Sequence, residues 1–148
     1  MLVPVAAHEV ESLSQGIAGR ELAPGWPHDD TAAGLSFVSA GGSQFLVLDD
    51  AGRVAGECGT KTPTRPDGSV EIGYGLAPPS RGRGLGTKAV AELLDWLRQQ
   101  PDVTVVEAEI HVSNTASRRI VEGLGFRPDG GVGEGYLRYR LTVKANAE

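Results

Sequence analysis

One stretch limits the possible folds more than any other. In Leu76-Ala77-Pro78-Pro79-Ser80-Arg81-Gly82-Arg83-Gly84-Leu85-Gly86-Thr87 an apolar strand pattern stops, the chain turns, and a helical pattern begins. Upstream, Val70, Ile72, Tyr74 and Leu76 alternate with Glu71, Gly73 and Gly75, the period of a strand with one apolar face. Downstream, Leu85, Ala89, Leu93 and Leu97 recur at helical spacing, with Val90 and Leu94 beside them, and Pro101 stops the run. The first turn of a helix has free N–H groups and the positive end of the helix dipole, and both attract anions. Gly82, Gly84 and Gly86 carry no Cβ, so a phosphate can reach the backbone there. The unit suits a pyrophosphate. The bland alternative is a glycine-rich loop that only lets helix and strand pack closely.

Two phosphate motifs are excluded. A P-loop requires Gly-Lys-Ser/Thr where this chain has Gly86-Thr87-Lys88, and the dinucleotide fingerprint requires a glycine at 87, which is Thr. What remains is Arg-x-x-Gly-x-Gly, from Arg81 to Gly86.

The surrounding pattern is α/β. Helical spacing predicts a first helix over residues 7–20, through Val10, Leu13 and Ile17, and a second one capped by Asp29 or Asp30 and ending near Gly41-Gly42. Trp26, in the breaker cluster between them, is a packing residue or a substrate contact. Residues 45–48 and 53–58 read as an antiparallel hairpin. Residues 103–112 alternate as a strand with Val106, Ala108, Ile110 and Val112 inward; Ser113 or Asn114 caps the next helix, which ends at Gly125. Residues 130–135 read as a flexible loop, and 136–143 as a last strand.

Composition sets the class. With 148 residues, 40% hydrophobic and 22% charged, the chain is expected to form one globular domain, 1–148. A net charge of −5 argues against a general nucleic-acid binder and suits a cationic partner such as an amine. The single cysteine, Cys58, excludes an intrachain disulfide and a cysteine-based metal site, and no metal is expected. The N-terminal residues lack a basic start and are too few for a membrane span, which predicts a cytoplasmic protein with no membrane partner.

Leu76-Ala77-Pro78 followed by Arg81 to Gly86 resembles the GCN5-related N-acetyltransferase (GNAT) superfamily, in which a strand ends in apolar-x-Pro and Arg/Gln-x-x-Gly-x-Gly/Ala opens a long helix. Asn114-Thr115-Ala116-Ser117, then Glu122-Gly123-Leu124-Gly125-Phe126, together with Glu71-Ile72-Gly73-Tyr74, are similar to the branch of ribosomal-protein N-terminal acetyltransferases. The resemblance covers residues 54–143. It implies the GNAT fold: a mixed, mostly antiparallel sheet flanked by helices, with a splayed strand pair holding acetyl-CoA.

The resemblance also implies an activity, transfer of the acetyl group of acetyl-CoA to a primary amine by direct attack in a ternary complex. The amine belongs to a protein N-terminus or a small molecule, and the protein is a monomer or homodimer. Backbone groups at Leu76 and Ala77 would contact the pantetheine arm and thioester. The amides from Gly82 to Thr87 would hold the pyrophosphate, with charge from Arg81 and Arg83, and Leu85 and Gly86 within the same turn. Asn114 would bond the arm, or only cap its helix. Ser117 would face the sulfur. Relatives often carry a tyrosine in that second helix, where this chain has Arg118, Arg119, Ile120 and Val121. For the general base, Glu57, Glu71, Glu109 and His111 all lie on strands near the expected cleft, and Glu71 leads because it matches Glu-Ile-Gly-Tyr. A non-catalytic acyl-CoA-binding module is the alternative from another class.

Overall fold

A computed structural model describes residues 1–144. The elements run β1 (Leu2–Pro4), α1 (Val10–Ser14), α2 (Thr31–Leu35), β2 (Gln44–Leu48), β3 (Val54–Thr60), β4 (Ser69–Leu76), α3 (Leu85–Arg98), β5 (Val105–His111), α4 (Thr115–Gly123), β6 (Arg127–Gly133) and β7 (Tyr136–Thr142). The seven strands among the described residues form one sheet in the order β1-β2-β3-β4-β5-β7-β6. Every neighbouring pair is antiparallel except β4 and β5. The expected mixed, mostly antiparallel sheet flanked by helices is what forms.

The β4–β5 pair fixes the site. Its parallel register runs from Ser69 opposite Val105 to Ile72 opposite Ala108 and stops there. Both strands continue, β4 to Leu76 and β5 to His111, held only by their outer neighbours β3 and β7. The middle of the sheet therefore splays open. On one face, Val70, Ile72, Val106, Ala108 and Ile110 pack under Val90, Leu93, Leu94 and Leu97 of α3 and Val121 of α4. On the other, Leu13 of α1, Leu35 of α2 and Trp26 cover Leu46, Leu48 and Val54. At about 25 cal/mol per Å² of buried apolar surface, these two layers hold the helices to the sheet.

Several boundaries differ from the sequence reading. The first helix is a short 3₁₀ turn plus α1 and ends by Gly16, whose φ of +83° favours glycine, so Ile17 stands exposed instead of facing inward. α2 gives way to a 3₁₀ turn, residues 36–40, before Gly41 at φ +87°. Asp30 sits at the N-cap of α2 but makes no capping hydrogen bond through its side chain; the Thr31 hydroxyl accepts from the His28 amide instead (3.0 Å). Val112 lies beyond the end of β5 and is exposed. Residues 130–133 belong to β6: glycines at positive φ let a bulged edge strand pair with β7 where composition suggests a loop.

Candidate active site

A cleft of about 690 Å³ occupies the splay. At one end it is lined by the turn before α3, with Arg81, Gly82, Gly84, Gly86 and Thr87. Gly84 is the N-cap of α3 at φ +81°, no side chain caps the helix, and no acidic residue lies in its first turn. Lys88 is the residue whose amide reaches back to the Gly84 carbonyl (3.1 Å), so the helix amides of Leu85, Gly86 and Thr87 lie ahead of the intrahelical ladder. A Cβ at Gly82 or Gly84 would meet no heavy atom within 4 Å. The turn is an open cradle of N–H groups, the shape a diphosphate fits.

Beside the cradle, Asn114 and Ser117 line the cleft from the start of α4. The Asn114 side chain accepts the Ser117 amide (3.1 Å), so capping and lining are combined in one residue. Leu76 also lines the cleft, and its carbonyl accepts from Arg81 Nε (3.1 Å). Ala77 is fully buried and its amide donates to the Ala55 carbonyl (2.8 Å). Arg83 and Leu85 turn to a neighbouring hollow of about 280 Å³, which Lys88 also lines.

The far end of the cleft lies on the α1–α2 face and holds a carboxylate. Glu57 of β3 stands directly opposite Gly75 of β4 and is only 3% exposed. Its Oε1 accepts from the Trp26 indole N–H (3.3 Å). Its Oε2 is 2.7 Å from His28 Nε2. The Asp30 amide donates to His28 Nδ1 (3.2 Å), so that nitrogen is the acceptor and Nε2 carries the hydrogen that points at Glu57. A carboxylate can accept about four hydrogen bonds, and these two partners leave capacity for a group in the cleft. Gly75 keeps this pair undisturbed: a Cβ there would lie 2.9 Å from His28 Cε1 and 3.0 Å from Glu57 Oε2.

The other strand carboxylates stand elsewhere. Glu71 shares the face of Glu57 but does not line the cleft; Lys61 Nζ binds it at 2.6 Å. Glu109 faces Arg138 (3.7 Å), and Glu107, its neighbour on β5, is bound by Arg65 and Arg140. His111 Nδ1 is 2.7 Å from the Ser113 hydroxyl and its ring packs edge-on against Tyr136. Arg118 is tied to the Val112 carbonyl and the Tyr139 hydroxyl, fastening α4 to the segment after β5 and to the middle of β7. Cys58 is buried, and that burial pushes its thiol far above the ordinary value, which removes it as a nucleophile. Among the described residues no group of three or more His, Cys, Asp or Glu side chains could hold a metal ion, and no helix is long and apolar enough to cross a membrane.

A family model described as an acetyltransferase (GNAT) domain matches residues 1–127. The chain belongs to the GNAT acetyltransferase family. Among this family's proteins, an uncharacterized N-acetyltransferase of Bacillus licheniformis is 28% identical over 85 residues, 57% of this chain; the match spans 48% of that protein, so the chain corresponds to about half its length. The solved spermidine/spermine N-acetyltransferase of Vibrio cholerae superposes with a TM-score of 0.71 at 15% identity, covering 97% of this chain and 93% of that one. A ribosomal α-N-protein acetyltransferase in complex with coenzyme A superposes with a TM-score of 0.70 at 16% identity, covering 95% and 92%. At these identities the superpositions establish a common fold.

Proposed function

We propose that the chain transfers the acetyl group of acetyl-CoA to a primary amine, with the donor entering the splay from the α3–α4 face and the amine meeting it from the α1–α2 face. The observation that carries this reading is the cleft itself, which joins an open amide cradle at one end to a buried, oriented carboxylate at the other. The cradle residues fit a pyrophosphate, with Arg81 adding charge, and Asn114 and Leu76 fit the polar arm. Acetyl-CoA, when bound, supplies a thioester carbonyl carbon open to attack.

Glu57 accepts the amine proton, directly or through a water, in the stead of Glu71, whose carboxylate Lys61 already engages. Trp26 and His28 fix the orientation of Glu57 before the substrate arrives, so no reorganisation is needed during attack. Ser117 faces the departing sulfur. The acceptor is a cation before it reacts: Glu57 and Asp30 line the amine end, and the guanidinium in the lining belongs to Arg81 at the cradle end. The superposed enzymes named for spermidine and for a ribosomal protein N-terminus are consistent with an amine of a small molecule or a protein terminus.

Isothermal titration with acetyl-CoA, run beside a thiol-release assay on polyamines, aminoglycosides and N-terminal peptides, tests the reading. Acetyl-CoA binding with amine-dependent thiol release supports it. Binding without release on every amine points to a non-catalytic acyl-CoA module.

A further inference from the structure

Attack on a thioester breaks the C–S bond with its electron pair on sulfur. The amine proton has a destination in Glu57; the new charge on sulfur also needs a donor. Besides Ser117, two lining residues carry hydroxyls, Thr87 in the cradle and Tyr74 on β4. Tyr74 lies two residues past the last β4–β5 rung, so it stands where the strands have parted. Its hydroxyl reaches across the gap to the Ser117 carbonyl of α4 at 3.2 Å. A line from β4 to the first turn of α4 thus crosses the opening through which the thioester would pass.

We infer that Tyr74 is a further catalytic residue beside Glu57 and Ser117, whose O–H turns from the Ser117 carbonyl to the sulfur as the thiolate departs. This rests on the acetyl-transfer reading above. The step balances: the C–N bond forms, the C–S bond breaks, the amine proton goes to Glu57, and sulfur leaves as a thiolate hydrogen-bonded by Tyr74. Burial holds the tyrosine hydroxyl above its ordinary pKa, so it remains a donor at physiological pH. The position compensates for the helix, where residues 118–121 supply no tyrosine.

The test compares CoA with desulfo-CoA, which lacks the sulfur, by titration calorimetry on the full chain and on Tyr74→Phe. The parent should bind CoA about 2-fold to 10-fold tighter than desulfo-CoA, the worth of one hydrogen bond, and Tyr74→Phe should lower that ratio, leaving only the share that Ser117 supplies. Tyr74→Phe should also lower kcat about tenfold to hundredfold while the KM for acetyl-CoA changes by less than about twofold. A variant that melts at a lower temperature yet keeps the parent's ratio and kcat would show that Tyr74 only holds α4. Equal affinity of the parent for CoA and desulfo-CoA overturns the inference without any variant. Failure of the parent to bind either compound would instead bring down the acetyl-CoA reading on which the inference stands.

Discussion

Glu57 and Gly75 form a pair in which one residue's chemistry depends on the other's lack of a side chain. Gly75→Ala would put a Cβ against His28 and Glu57 Oε2, a buried imidazole and a buried carboxylate that are bonded to each other and would have to shift. Turnover should fall at least tenfold with little change in acetyl-CoA affinity, because the cradle is untouched; steady-state kinetics beside calorimetry reads both. Glu71→Gln should leave turnover unchanged and shift stability by less than about 1 kcal/mol, since it breaks a partly exposed pair with Lys61.

Buried Cys58, whose unfolded value is about 8.5, makes stability decline first as pH rises, and Tyr74 and Tyr139 steepen that decline above pH about 10. Burial raises the pKa of each tyrosine, with a hydrogen bond to Glu122 raising that of Tyr139 further. Their folded values lie above the unfolded value of about 10, so their contribution to stability is fully present below that pH and is lost as pH rises through the folded values. The decline in melting temperature should steepen above pH about 10, and Tyr74→Phe should flatten that steeper part; an unchanged pH dependence in the variant would contradict it.

At the level of single residues the sequence was uneven. Alternation along β4 places Glu71 on a face but does not tell which rung lies at the gap. Lys61 follows directly after Thr60, which pairs with Ile72, so the hairpin register would have put it beside Glu71. The same register sets Glu57 opposite Gly75, a carboxylate facing a missing side chain, and that was the readable signal for the buried site. Trp26 and His28 reach Glu57 from 31 and 29 residues upstream, out of a loop, and no spacing rule connects them.

The elements were more legible where periodicity and chemistry agreed. α3 has apolar residues on a single face and opens after a run of glycines, both visible as pattern, whereas the positive φ of its N-cap Gly84 is a finding of the structure. Gly84→Val should weaken acetyl-CoA binding more than tenfold. The Cβ would project into open space that the cradle needs, while a branched residue at φ +81° adds a backbone cost of about 1–2 kcal/mol that lowers the melting temperature modestly. Equal acetyl-CoA affinity in Gly84→Val and the parent would remove the cradle from the mechanism. Ser117→Ala, at the first turn of α4, should lower kcat about tenfold to hundredfold and leave acetyl-CoA affinity nearly intact; loss of thermal stability with kcat preserved would reduce Ser117 to a helix residue. β6 was the illegible element. Its glycines signal a loop by propensity, and only pairing with β7 makes a strand of them.

On the scale of the whole molecule, the sheet follows from the order of patterns, whereas its opening follows from pairing. β4 and β5 stop pairing after Ile72 and Ala108 while each stays paired with its outer neighbour, and Ile110, Tyr74 and Leu76 at the parted ends pack into the core under α3 and α4. That parting of β4 and β5 connects the two ends of the site. Transfer across it, with Glu57 taking the amine proton, is measured most directly by thiol release from acetyl-CoA under saturating amine, in the parent and in Glu57→Gln. Amine-dependent release should fall about 10²-fold to 10⁴-fold in Glu57→Gln while acetyl-CoA binds both proteins alike. Release at the parental rate from a folded Glu57→Gln, with chemistry rate-limiting, would contradict it.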